Sequence, residues 1–164
     1  MQNVMPLTPM VKKLIIGNVV VWVLEMLVDK LILGQPWFMA NLGLLPQSIF
    51  DHFSLWQLLS YMFLHAYNPM HLLFNMLLLW WIGSELEQRW GGRLFLTYYL
   101  VCGIGAAVLY LLALFSYTLI SHSALGWGNP VVGASGAIFG LLLAFGLIFG
   151  ERVIAFMMLF PMKA

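Results

Sequence analysis

Four stretches of this sequence, at 14–33, 71–87, 94–120 and 131–150, are apolar and about long enough to cross a bilayer, and that pattern constrains the fold most. A spanning helix needs about 17–25 residues. Inside hydrocarbon each backbone N–H and C=O must be paired, so such segments are helices unless they close into a barrel. Composition agrees. Hydrophobic residues make up 63% of the 164 and charged residues 8%, with a mean hydropathy of +0.95. A soluble domain carries about a quarter charged residues. The predicted fold class is therefore all-α, a polytopic membrane helix bundle with the lipid bilayer as its solvent. A net charge of +1 without a basic patch argues against nucleic acid as a partner. Cys102 stands alone in an apolar run, which excludes a disulfide and a thiolate metal site and reads as core packing. Neither a cofactor nor a metal is expected.

The basic residues orient the bundle. Lys12 and Lys13 precede the first span, Arg89 and Arg93 join the second to the third, and Arg152 and Lys163 follow the fourth. Only Lys30 falls on the other side, so six of the seven positive charges share one face. The positive-inside rule makes that face cytoplasmic. The N-terminus is then inside, and the 34–70 and 121–130 loops are outside. The first apolar run does not read as a cleavable signal, because Glu25 and Asp29 interrupt its far end and no small-residue cleavage site follows. Glu25 and Asp29 share a helical face. They are expected to hydrate at the outer interface, the alternative being a proton or cation path. Glu87, with Arg89, reads as an anchor at the inner interface. The 34–70 loop carries Trp37, Phe38, Phe50, Phe53, Trp56, Tyr61, Phe63 and Tyr67. Aromatic rings favour the headgroup boundary, so short amphipathic helices lying partly in the outer leaflet are expected there, or else an ordinary extracellular cap.

Polar groups inside the greasy segments narrow the chemistry. His71 and Asn75 are four residues apart, on one helical face at the outer end of the second span. Ser135 lies at the outer mouth of the fourth span within Gly133-Ala134-Ser135-Gly136. A serine among small residues is either a packing device or a nucleophile. The agreement in depth of three polar groups, each costly in hydrocarbon, favours an acyl-transfer site. The fourth span also carries Gly136 with Gly140 and Gly146 with Gly150, spacings that let helix backbones approach closely. It is expected to be buried centrally among its neighbours.

The run Phe63-Leu64-His65, then His71-Leu72-Leu73-Phe74-Asn75-Met76, Gly83, Leu86-Glu87, Gly91, and Gly133-Ala134-Ser135-Gly136-Ala137-Ile138-Phe139-Gly140 resembles the rhomboid intramembrane serine proteases. The order and separations match over most of the chain. The resemblance implies a core of six spans, four of them present here. It implies an endopeptidase that cleaves transmembrane segments of membrane proteins near the extracytoplasmic face through a Ser-His dyad. It makes Ser135 the nucleophile and gives His71 and Asn75 to the oxyanion hole, with backbone N–H near the serine. A multi-pass protein of a bacterial inner membrane is the expected setting.

The sequence departs from the family pattern in three places. The family's Trp-Arg pair in the outer loop is matched by Trp56-Gln57, which puts loop packing in doubt. His65 and His71 stand one residue further apart than is common. The family's general base is a histidine on the sixth span, and no histidine here matches it by position. His52 and His65 lie in the outer loop, and His122 reads as a solvated loop residue. The 164 residues alone are therefore expected to be inactive, and to require a C-terminal piece, a chaperone or an assembly factor to complete the bundle. A non-catalytic rhomboid-like protein that binds membrane clients is the alternative. An unrelated channel or transporter ranks last, for want of an internal repeat or a second charged cluster in the membrane.

Overall fold

The computed structural model describes residues 6–149, 153–156 and 160–163. Helix α1, Pro9–Glu25, begins on a proline at its first turn, where the missing N–H costs nothing. It continues as the π-helical segment Met26–Leu33 and stops at Gly34 in the left-handed region (φ 64°). Three short helices follow: α2 at Trp37–Leu42, α3 at Pro46–His52 and α4 at Gln57–Ser60, the last running into a 3-10 turn at Tyr61–Phe63. The long helices α5, Pro69–Trp90, and α6, Gly92–Ser121, come next, and α7 spans Ser135–Phe149. Val153–Phe156 and Phe160–Lys163 then pair as a small antiparallel hairpin. The body is all-α.

Helices lie over the four expected apolar segments, with shifted ends. The first helix starts five residues earlier than position 14, and the second covers Pro69–Trp90 instead of 71–87. The fourth starts at Ser135 and not at 131, because Val131 bridges to Leu44 and Gly133 turns the chain at positive φ before the helix begins. Gly150 lies outside the described residues. Of the described helices, α6 is the one long and apolar enough to cross a membrane by length and hydropathy alone, while α7 is apolar but shorter. Helix α5 carries Glu85, Glu87 and Arg89 in its last turns, which lowers its apparent apolarity without removing it from the bundle.

Lateral packing is built on small residues. Helices α6 and α7 share the closest interface, where a Cβ on Gly140 would collide with Cys102 and one on Gly136 would lie 2.8 Å from Ala106 Cβ. That contact is the close approach expected of the first glycine pair. The opposite face of α7 is open: Phe139, Leu143 and Leu147 are 70%, 63% and 80% exposed. The fourth span is therefore not enclosed on all sides among the described residues, and Gly146 has nothing within 4 Å of its Cβ position. Large apolar side chains also point outward from α1 and α6, among them Ile16, Val20, Leu109 and Leu112. Such a surface would aggregate in water, but it is ordinary where lipid is the solvent. The interior is filled by Phe95, Tyr99, Leu79, Ile82, Leu86 and Leu141.

Three carboxylates depart from their expected places. Glu87 is buried and is no interface anchor. It accepts hydrogen bonds from the Met10 and Val11 amides and the Thr8 hydroxyl, so α5 caps the first turn of α1. Glu25 and Asp29 are 0% and 2% exposed, against the expectation that they hydrate at the surface. The π-helical winding and the overlying 34–70 loop turn both inward.

Candidate active site

The 34–70 loop is a folded scaffold, and it supports the site. Gln57, which stands where the family pattern has arginine, is 1% exposed. Its Oε1 accepts the Leu45 amide at 3.0 Å and its Nε2 donates to Asn41 O at 3.2 Å. The neighbouring Trp56 indole donates to the same carbonyl at 2.9 Å. A neutral amide here offers both a donor and an acceptor, so the loop stays tied without the guanidinium.

This scaffold reaches across to the segment before α7. Leu44 and Val131 exchange backbone hydrogen bonds at 2.9 Å in each direction, and the Gly133 amide donates to Tyr61 O at 2.9 Å. Gly133 holds φ at +126°, a conformation that side chains rarely allow. The turn delivers Ser135 as the first residue of α7. Backbone N–H groups in the first turn of a helix have no partner within it, and they gather partial positive charge there.

His71 arrives from the other side. Asn68 caps α5 by accepting the Met70 amide at 3.0 Å, and Pro69 occupies the first position. His71 is thus in the opening turn, half-buried. The point that a Cβ on Gly133 would occupy lies 3.2 Å from His71 Nε2 and 3.7 Å from Ser135 Oγ. The imidazole and the hydroxyl therefore flank one small space that only a glycine leaves open. Asn75, one turn deeper and buried, donates from Nδ2 to His71 O at 2.7 Å.

The tautomer of His71 follows from its partner. The Ala66 amide donates to Nδ1 at 3.1 Å. Nδ1 must then carry the lone pair, so the proton of the neutral ring sits on Nε2, the nitrogen nearer the Gly133 space. His71 thus offers a donor to the space over Gly133.

The remaining histidines are placed apart from this space. His52 and His122 are exposed, His122 ending α6 in the left-handed region (φ 51°). His65 is 0% exposed, with both ring nitrogens lacking a hydrogen-bond partner, and its ring centroid lies 5.2 Å from that of His71. Burial, reinforced by the neighbouring His71, pushes the His65 imidazole down to about 4, so it stays neutral. Residues that motif reading passes over also converge here. Trp22 Nε1 donates to Ala66 O at 3.1 Å, and the Tyr67 hydroxyl donates to Asp29 Oδ2 at 3.0 Å. Trp22 and Tyr67 resemble dozens of ordinary membrane aromatics, and no spacing singles them out.

Known proteins resemble this chain over part of its length. Residues 52–163 match the Rhomboid domain. RHOMBOID-like protein 2 of Arabidopsis thaliana is 46% identical over 86 residues, 52% of this chain and 23% of that protein. Rhomboid protease AarA of Providencia stuartii is 40% identical over 94 residues, 54% of this chain and 32% of its own length. Rhomboid protease GluP of Bacillus subtilis is 37% identical over 87 residues, 53% of this chain and 14% of its own length. The matched stretch thus spans less than a third of each of these relatives. The match to the Rhomboid domain covers more than half of the chain, which therefore belongs to the rhomboid family of multi-pass membrane proteins, the family of the intramembrane proteases.

Proposed function

We propose that the whole protein is an intramembrane serine endopeptidase that cleaves transmembrane protein substrates near the extracytoplasmic face, with Ser135 as nucleophile. The observation that carries this reading is the shared space over Gly133, flanked by Ser135 Oγ and His71 Nε2. Attack of the hydroxyl on a scissile carbonyl would place negative charge in that space. His71 Nε2–H and the free N–H groups opening α7 can face it. Asn75 has two amide hydrogens, and its bond to His71 O uses one. A single well-placed donor lowers such a barrier by roughly 2.7–4 kcal/mol.

His71 does not suit the role of base. With Nδ1 engaged by Ala66, its Nε2 is already protonated. We assign proton removal to a histidine on a further segment of the whole protein, as the family resemblance implies. That base would return the proton to the leaving amine, and water would then hydrolyse the acyl-enzyme. In this reading residues 1–164 alone are inert, since an unassisted serine hydroxyl is a poor nucleophile. The open Phe139–Leu143–Leu147 face of α7 supports a further piece of the bundle, or an assembly partner, at that position. The N-terminus is assigned to the cytoplasm, in a bacterial inner membrane.

Ser135→Ala in the whole protein tests the assignment. Cleavage of a model transmembrane substrate should vanish while expression and helix content are kept. Retained cleavage would remove Ser135 from the chemistry.

A further inference from the structure

The orientation of His71 depends on one backbone amide, and the first helix grips the segment that supplies it. His65, Ala66 and Tyr67 form a strap between the 3-10 turn and α5. The Ala66 amide faces His71, while the Ala66 carbonyl accepts the Trp22 indole N–H at 3.1 Å. The Tyr67 hydroxyl donates to Asp29 at 3.0 Å, and Asp29 also accepts the Phe38 amide at 3.2 Å. Lys30 Nζ lies 4.7 Å from the centre of the Tyr67 ring. Glu25, wholly buried, lies beside the His65 backbone amide. Three consecutive strap residues are thus met by side chains spaced along one face of the first helix.

These contacts are specific in kind. An indole N–H can only donate, and an ionised carboxylate can only accept. Trp22 can therefore hold only an acceptor, here the Ala66 carbonyl, and Asp29 accepts from the Tyr67 hydroxyl and the Phe38 amide. The strap is pinned at the carbonyl of Ala66 and at the hydroxyl of Tyr67, and the Ala66 amide, just before these two points in the chain, faces His71. The hydrogen bond at one ring nitrogen decides what the other nitrogen can do.

We propose that Trp22, Asp29 and Tyr67 are positioning residues that fasten the 65–67 strap to the first helix, so that the Ala66 amide keeps His71 as an Nε2–H donor toward Ser135. The proposal rests on the oxyanion role given to His71 above. The three residues need not touch substrate. They act through Ala66.

The test combines histidine ¹⁵N spectroscopy with kinetics on the whole protein in lipid nanodiscs. In the unsubstituted protein, His71 should show an unprotonated, hydrogen-bonded Nδ1 and a protonated Nε2. In the double variant Trp22→Phe, Tyr67→Phe, which keeps an aromatic ring at each position and deletes both donors, the Nδ1 resonance should move toward its free position. The kcat should fall about tenfold with KM within twofold, as expected when a supporting hydrogen bond is lost without loss of binding surface. Single variants give the same reading if the double one folds poorly. An Nδ1–H tautomer in the unsubstituted protein overturns the proposal, as does an unchanged Nδ1 resonance in the variants. The spectra can be recorded in the Ser135→Ala background. Failure of the strap therefore appears in the resonance, and failure of the catalytic reading in the cleavage assay.

Discussion

The two ends of the first helix each bury carboxylates, and they use them differently. At the far end, Glu87 reaches from α5 to two backbone amides and a hydroxyl, so its oxygens are well supplied with donors. At the site end, Asp29 is partnered by Phe38 and Tyr67, but the equally buried Glu25 has only the His65 backbone amide beside it. His65 next to it has no hydrogen-bond partner for either ring nitrogen. Buried polar atoms without partners cost stability. The far end is a structural staple. The site end gives up some stability to keep a polar neighbourhood behind His71, a pattern common at functional sites.

The sharpest way to break this comparison is to remove the staple. Glu87→Ala strands the Thr8 hydroxyl and the Met10 and Val11 amides, and each stranded donor costs about 1–3 kcal/mol if water cannot reach it. A loss of roughly 4 kcal/mol is expected in a reversible unfolding assay in detergent, with Glu87→Gln losing less. Specific activity per folded molecule should hardly change. A large drop in kcat without a loss of stability would make Glu87 part of the site.

The site end should instead show itself in pH dependence. The His65 imidazole is held down to about 4 by burial, below its value of 6.5 in the unfolded chain. The unfolded state therefore takes up the proton first. The contribution of the neutral ring is fully present above about pH 6.5 and is lost as the pH falls toward 4, up to roughly 3 kcal/mol in all. His65→Phe should flatten the unfolding profile over that window. An unsubstituted protein equally stable across it would show that water reaches the ring.

A smaller effect separates the two ends of α7. An alanine at Gly136, on the site end, meets Ala106 Cβ at 2.8 Å and the Tyr61 hydroxyl at 2.9 Å, whereas one at Gly146 meets nothing within 4 Å. Gly136→Ala should cost about 2 kcal/mol by overpacking. Gly146→Ala should be neutral or add about 0.5–1 kcal/mol through helix propensity. Equal effects would mean that the α6–α7 contact yields more easily than its geometry suggests.

Much of this was legible in the sequence. The apolar runs announce the helices, since hydrocarbon leaves the backbone few alternatives. The polar residues inside them, His71, Asn75 and Ser135, stand out because burial makes such groups costly. The N-terminal boundary of α7 was not legible. Val131 and Val132 continue the apolar run, and only the pairing of Val131 with Leu44 shows that the chain there is extended. The burial of Glu25 and Asp29 was missed for a related reason. Their spacing fits an α-helical face near an interface, whereas a π-helical turn and the loop above them hide both. Glu87 was misread because its partners lie 76 and more residues away in sequence. Trp22 and Tyr67 carry no local signal at all, since their meaning depends on a strap that exists only once the loop has folded.

The central claim, that Ser135 and the Nε2–H of His71 face one oxyanion space over Gly133, is tested most directly by trapping it. The whole protein would be treated with a fluorophosphonate and the structure of the adduct solved in lipid. The expected result is phosphorus bonded to Ser135 Oγ, with its phosphoryl oxygen within hydrogen-bond distance of His71 Nε2 and beside Gly133. Labelling of another residue, or a phosphoryl oxygen turned away from His71, would contradict it.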